Sequence, residues 1–306
     1  MTLTYNKPAL SIQQQIILLQ QRGVIFSDQS EAIHFLENVG YYRLAGYWQD
    51  FQTDRINHIF CTGTNFKQII ELYNFDRELR LLLIDAIERI EVSFRCRLSN
   101  MMSIPYSPTW FAHSHLFHKE DLFDTVLEII DNELARSGEK FILHHDKIYG
   151  TDRYPPAWKT LEVLSFGTLS KLYGNIRNDI AEKKAIAKSY GLSTVEYLHS
   201  WIQAISVLRN ICSHHGRLCY RIFGYPPKLM HKGSLPWIVR ENMPSSTSPH
   251  IQFLFLQLCT VRYILHTASP QANFHTKLKE LIVNYPSIDV DKMGFSKGWE
   301  EEALWK

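Results

Sequence analysis

The sequence predicts an all-α protein, and three observations carry that prediction. Almost every periodic apolar run steps by three or four residues, as one face of a helix requires. Several of these runs are bracketed by capping residues, glycines or prolines. Only one stretch, "HIFCTGTNF" at 58–66, reads poorly as helix. The chain has 306 residues, 45% of them hydrophobic, which is ample for one large packed domain or two small ones. Lys and Arg number 33 against 31 Asp and Glu, so the net charge is +2 and any basic surface must be local.

Taken in order, Ser11 and Gln14 form a capping-box pattern that opens a helix bearing Ile12, Ile16 and Leu19 and closed by Gly23. A second short helix over about 29–39 ends at Gly40. It leads into the aromatic stretch "GYYRLAGYW", 40–48, whose glycines predict turns or tight packing. A short hairpin is expected near Gly63. The longest run, about 66–100, places Leu79, Leu83, Ile87, Ile90, Phe94 and Leu98 on one stripe before Pro105 and Pro108 end it. Helices follow at about 120–136, 139–148, 156–173 and 178–190. Ser193 with Glu196 is a second capping box, opening a helix over 194–215. A Pro- and Ser-rich connection then runs to about 249, followed by two helices and the tail "MGFSKGWEEEALWK". No repeat or low-complexity tract is present.

Five cysteines, an odd number with no C-x-x-C pair, argue against a disulfide framework and for a reducing compartment. The N-terminal "MTLTYNKPALSIQQQ" has no apolar core of a secretory signal. The most apolar stretch, 251–265, is too short to cross a membrane and carries Arg262, so it reads as a buried helix. The expectation is a soluble cytoplasmic protein with no membrane partner.

The stretch with the most chemistry is "LRNICSHHGRL", 208–218. On a wheel of about 100° per residue, Leu198, Trp201, Ile202, Ile205, Leu208 and Cys212 form the core stripe. Asn210 and His214 share the opposite side, while Arg209 falls at about 40° from Ile205, inside the apolar edge. A guanidinium there cannot shed its charge and needs a carboxylate or a phosphate. Glu91 occupies the matching edge of helix 79–98, so the two are expected to meet, with Glu88 and Arg95 slightly further out. Histidine both takes and gives protons near neutrality, and the arginine fork matches two phosphate oxygens. Together they supply what RNA cleavage needs without a metal, because the 2′-hydroxyl attacks the adjacent phosphorus while a fixed cation stabilises the phosphoryl charge. The bland alternative is a helix C-terminus where His214, His215 and Arg217 face the negative end of the helix dipole and Gly216 stops the helix.

Arg-Asn-Ile-Cys-Ser-His, residues 209–214, resembles the R-x(4–6)-H signature of HEPN-domain ribonucleases. Over its whole length the chain resembles the Abi-like (AbiD/AbiF-type) abortive-infection proteins of bacteria. The similarity runs through 7–23, 39–48, 83–98, 158–173, 206–218 and 293–299. The resemblance implies a HEPN-like helical bundle over 61–306 with C-terminal helices, preceded by a helical N-terminal extension over 1–60. It further implies a metal-independent, toxin-like endoribonuclease in phage defence, with no cofactor and RNA as its substrate. A homodimer and an RNA or protein antitoxin are the partners it suggests. Arg209 and His214 match the motif's catalytic pair and Asn210 its polar companion, with Glu91 and His215 in support. His215 also satisfies the permitted spacing, so the acid–base histidine stays open between the two. Where relatives end the motif in Trp-Asn-Arg, this chain has Cys219-Tyr220-Arg221.

Three other features carry weaker readings. His113, His115 and His118, and the pair His144–His145, offer imidazoles for a metal, although polar loop positions explain them as well. "GYYRLAGYW" is either a platform for RNA bases or a packing element. Arg177, Lys183, Lys184 and Lys188 either track phosphates or form a solvated helix face. The competing function is a non-catalytic RNA-binding or protein-interaction module in which Arg209 is structural. The two are separated by whether Arg209 and His214 converge on an open, basic cleft or Arg209 is sealed against Glu91. A third case is release of Arg209 only when RNA or a partner binds.

Overall fold

Helical spacing in the sequence becomes twelve α-helices and one two-stranded ribbon in the computed structural model, which describes residues 8–151, 153–231, 233–239, 242–244 and 247–306. The fold is all-α. The first residues of the N-terminal stretch, and parts of the Pro- and Ser-rich connection, lie outside the described residues. The chain divides into two compact units, Met1–Arg80 with Glu280–Asp289, and Leu81–Lys279 with Val290–Lys306.

In the first unit, Ser11 and Gln14 close a reciprocal capping box at the start of α1 (Ile12–Gln21), and Asp28 caps α2 (Gln29–Asn38). Gly40 takes φ of 89°, and the aromatic stretch continues as a helix, α3 (Tyr41–Trp48). Leu44, Tyr47 and Trp48 are its buried face, whereas Tyr42 points to solvent. A packing element is therefore what most of these aromatics make. Strands β1 (Gln52–Asp54) and β2 (Ile59–Phe60) pair antiparallel across a turn in which the Asp54 carboxylate accepts from the backbone of Ile56 and Asn57. The hairpin expected near Gly63 thus turns several residues earlier. The first part of α4 (Phe66–Ser103) adds a sealed cluster to this unit. The Tyr47 hydroxyl donates to Asp76 at 2.8 Å, and Arg80 donates to both Tyr47 and Asp76.

The second unit is built on the rest of α4, whose Leu83, Ile87, Ile90, Phe94 and Leu98 are fully buried. Helices α5 (Glu120–Ala135), α6 (Lys140–Tyr149), α7 (Ala157–Thr160), α8 (Phe166–Asn175), α9 (Ala181–Ser189), α10 (Val195–Ser213) and α11 (Leu254–Ala268) follow, and α12 (Phe274–Asn284) is divided between the units after Lys279. α8 packs on α5 and α10, and α10 also packs on α9 and α11. The single helix expected over 156–173 is broken. After α7 comes a 3-10 turn, Leu164 is extended, and the Ser165 hydroxyl restarts the helix by accepting from the Thr168 amide at 3.1 Å. The cap of α10 is Thr194 rather than Ser193. α11 is buried nearly all round, and Arg262 within it donates to the Leu304 carbonyl at 3.2 Å. Phe295, Trp299 and Trp305 of the tail pack on Phe255 of that helix. Among the described residues no helix is long and apolar enough to cross a membrane.

Candidate functional site

The C-terminal end of α10 is held in place by its apolar stripe, since Leu198, Trp201, Ile202, Ile205, Leu208 and Cys212 are all buried. The helix ends in a Schellman arrangement. His214 is the C-cap, the His215 amide donates to the Cys212 carbonyl at 3.0 Å, and the Gly216 amide donates to Ile211 at 2.8 Å. The left-handed position is His215, with φ of 56°, and not Gly216. A Cβ at 216 would be tightly placed, 3.0 Å from Ile211 Cγ2 and 3.1 Å from the Ile211 carbonyl oxygen. This geometry fixes the direction in which the chain leaves the two histidines.

Arg209 and Glu91 do meet, with Arg209 Nε 3.8 Å from Glu91 Oε2. Their roles are the reverse of what the wheel suggests. Arg209 is 39% exposed, and its second contact is a 3.4 Å bond to the Asn210 side chain. Glu91's shorter bond goes to Arg95, at 2.9 Å, and Arg95 is the guanidinium that is 12% exposed. The break before α8 explains the burial. The Leu164 carbonyl accepts from Arg95 at 3.2 Å, Glu162 stands 3.4 Å away, and Arg95 Nε is buried with no hydrogen-bond partner. Glu91 is therefore shared between a sealed arginine and an open one.

Arg209 faces a pocket of about 370 Å³ walled by Glu88, Glu91, Arg95 and Ser213, with Ile84 and Val92 on its apolar side. Two carboxylates and two guanidiniums leave it without a net charge. Asn210 and His214 are exposed on α10, and His214 is outside that wall. Five helical positions separate Arg209 from His214, or about 140° around the axis. One chain thus brings Glu91, Arg95 and Arg209 together and leaves His214 and His215 at the rim of the helix end.

The sequence profile of the Abi-like protein family matches residues 34–220, more than half of the chain and ending just past the helix terminus described above. The chain belongs to the Abi-like protein family. No curated protein and no solved structure matches it. The family suggests a place in abortive infection of phage-attacked cells.

In this Abi-like protein four of the five histidines read as possible metal ligands make local contacts, and the fifth, His144, is exposed on α6. His118 Nε2 accepts from the Asn178 amide at 2.9 Å, His145 Nε2 lies 3.2 Å from the Arg153 carbonyl, and the rings of His113 and His115 stack. Among the described residues, no three His, Cys, Asp or Glu side chains are grouped to hold a metal ion. Lys183 is not on a solvated face. It is buried, and its ammonium donates to the carbonyls of Gly174 and Ile176 and to Asn178, closing the C-terminus of α8. Burial pushes it down to about 8, with Glu196 acting in the opposite direction. The same burial, with Lys183 close by, lowers His199.

Proposed function

We propose that this Abi-like protein is a metal-independent endoribonuclease, toxin-like in action, that serves phage defence by cutting RNA. The observation that carries the reading is the state of Arg209, half-open, loosely held by a carboxylate whose better partner is Arg95. An entering phosphate can take over the Arg209 fork without leaving Glu91 unpaired, because Arg95 still holds it. Arg209 then stabilises charge on the phosphoryl oxygens, and an exposed histidine, His214, accepts the 2′-hydroxyl proton or donates to the leaving 5′-oxygen. Asn210 steadies the guanidinium through its 3.4 Å contact.

A single chain offers one such histidine beside one such arginine, and in-line cleavage is best served by separate acid and base groups. Two copies related by a twofold axis would supply both sets through one isologous contact. The second reading, a non-catalytic RNA-binding or protein-interaction module, is favoured by one observation, the position of His214 outside the Arg209 pocket.

Cleavage of a defined RNA by the full-length protein in excess EDTA decides between them. The nuclease reading expects a 2′,3′-cyclic phosphate and a 5′-hydroxyl, and resistance of a substrate carrying 2′-deoxy at the scissile position. His214→Ala or Arg209→Ala should each remove roughly two to four orders of magnitude of rate. Fragments with 3′-hydroxyl and 5′-phosphate, abolished by chelation, would overturn the mechanism. No cleavage at all would leave the interaction module.

A further inference from the structure

The opposite end of α10 carries a second pocket of different chemistry, about 870 Å³ in volume. It is lined by Gly191 and the buried Leu192 and Val195, which give it an apolar floor, and by the exposed Ser193 and the exposed Lys184 and Lys188 of α9. Its floor is preformed. The Gly191 carbonyl accepts from the Tyr263 hydroxyl at 2.7 Å and from Ser234 at 3.1 Å. Gly191 itself has φ of +75°, and a Cβ there would come within 2.9 Å of Leu235 and Ser234. The chain segments around the opening are therefore locked against one another, as a ligand pocket requires.

The four cations of 177–188 divide by what they touch. Arg177 is paired with Asp179, and Lys183 is spent on the end of α8. Lys184 and Lys188 are exposed, and neither ammonium group has a hydrogen-bond or ion-pair partner among the described residues. They sit one turn apart on the same helix, a like-charge pairing that costs a few tenths of a kcal/mol in isolation. An anion between them would turn that repulsion into attraction.

We propose that this pocket binds a nucleoside phosphate unit, with the phosphate between Lys184 and Lys188 and the ribose and base over Leu192 and Val195. A bare inorganic anion would use the lysines and leave the apolar floor wet. A purely apolar ligand would strand the two ammonium groups. The unit comes either from a free mononucleotide or from one position of an RNA strand, and the second source rests on the ribonuclease reading above. From Val195 to Arg209 is fourteen residues of one helix, about 21 Å. At the roughly 3.4 Å spacing of stacked nucleotides, a strand touching both ends of α10 spans about six of them.

The test uses the full-length protein, a fluorescein-labelled twelve-nucleotide RNA blocked by 2′-O-methyl groups so that it cannot be cut, and AMP. Anisotropy measures RNA affinity against salt, and calorimetry measures AMP binding, for wild type, K184Q/K188Q and K184R/K188R. For the RNA source, the glutamine pair should bind the strand about tenfold more weakly, with the salt slope shallower by about 1.4, two phosphates' worth. The arginine pair should restore both. If wild type binds no RNA and AMP binds only when the lysines are present, the pocket serves a free nucleotide and the ribonuclease reading falls. Equal RNA affinity and slope in the glutamine pair, with AMP binding absent or indifferent to the lysines, would overturn the pocket. Continued RNA cleavage would then leave the ribonuclease reading standing. Binding of neither ligand by wild type would overturn the pocket as well.

Discussion

Helix α4 carries three arginine–carboxylate pairs of identical i, i+4 spacing; Asp85 with Arg89 lies in solvent, whereas Asp76 with Arg80 and Glu91 with Arg95 are drawn toward the core and have different fates. Around the first, everything is closed. Asp76 is fully buried, Tyr47 bridges to it, and Arg80 touches both. Burial works to lower Arg80, yet Asp76 and Tyr47 hold it above its ordinary value, while burial and then the Asp76 carboxylate push the Tyr47 phenol up. Around the second, a third residue, Arg209, reaches the same carboxylate from α10 and stays accessible. The spacing alone does not distinguish a structural pair from an available one. The number of groups competing for the carboxylate, and how many of them solvent reaches, does.

That contrast can be broken by mutation. Asp76→Ala should cost the most, about 3–5 kcal/mol in urea unfolding, because it removes the fully buried carboxylate that neutralises the buried Arg80. Glu91→Ala should cost less, about 2 kcal/mol, since Arg95 keeps the Leu164 carbonyl and Glu162. Arg209→Ala should leave the unfolding midpoint close to wild type. If Arg209→Ala destabilises as much as Asp76→Ala, the open arginine is as structural as the sealed one and the distinction fails.

Lys183 extends the comparison to a sealed cation with no carboxylate bonded to it. In the unfolded chain it keeps its proton to near 10.4, whereas in the fold it releases it near 8. Between those values the unfolded state binds more protons, so this residue's contribution to stability rises with pH. Wild type should therefore gain on Lys183→Met from pH 7 to 9.5, by less than the ~1.4 kcal/mol per pH unit that one proton allows. A pH-independent difference would place the charge elsewhere. The smallest effect expected is at the helix end. His215→Gly relieves a left-handed backbone at a non-glycine position and should raise stability by up to about 1 kcal/mol. Retained cleavage in that variant would assign the acid–base role to His214, and lost cleavage would transfer it to His215.

Most of the fold was readable from spacing and caps. The stripe of α4 and that of α10 are buried residue for residue, and Ser11 caps α1 with Gln14. The wheel also brought Glu91 and Arg209 together, because both lie on the core margins of long helices. It ranked the arginines wrongly for a reason no single helix contains. Arg95 is buried by Leu164 and Glu162, which reach it only because the run 156–173 breaks at 164–165. The apolar period continues through that break, so periodicity could not show it. The end of α10 was displaced by one residue, since Gly216 is the obvious stop signal while His215 takes the left-handed position. The spacing also gave no sign that His214 would lie outside the pocket that Arg209 lines.

Cys96 sits on the exposed side of α4, accepting a 3.4 Å contact from Asn100 and lining a groove with Glu88 and Val92, two residues that also wall the Arg209 pocket. Of the five free thiols it is the exposed one, with Cys61 half-buried and Cys212, Cys219 and Cys259 enclosed. A maleimide dye should therefore label this position ahead of the others, five residues along α4 from the carboxylate that holds Arg209. Fluorescence from that dye would report the arrival of a ligand or a second copy at the pocket in real time, with no need for a cut strand to announce it.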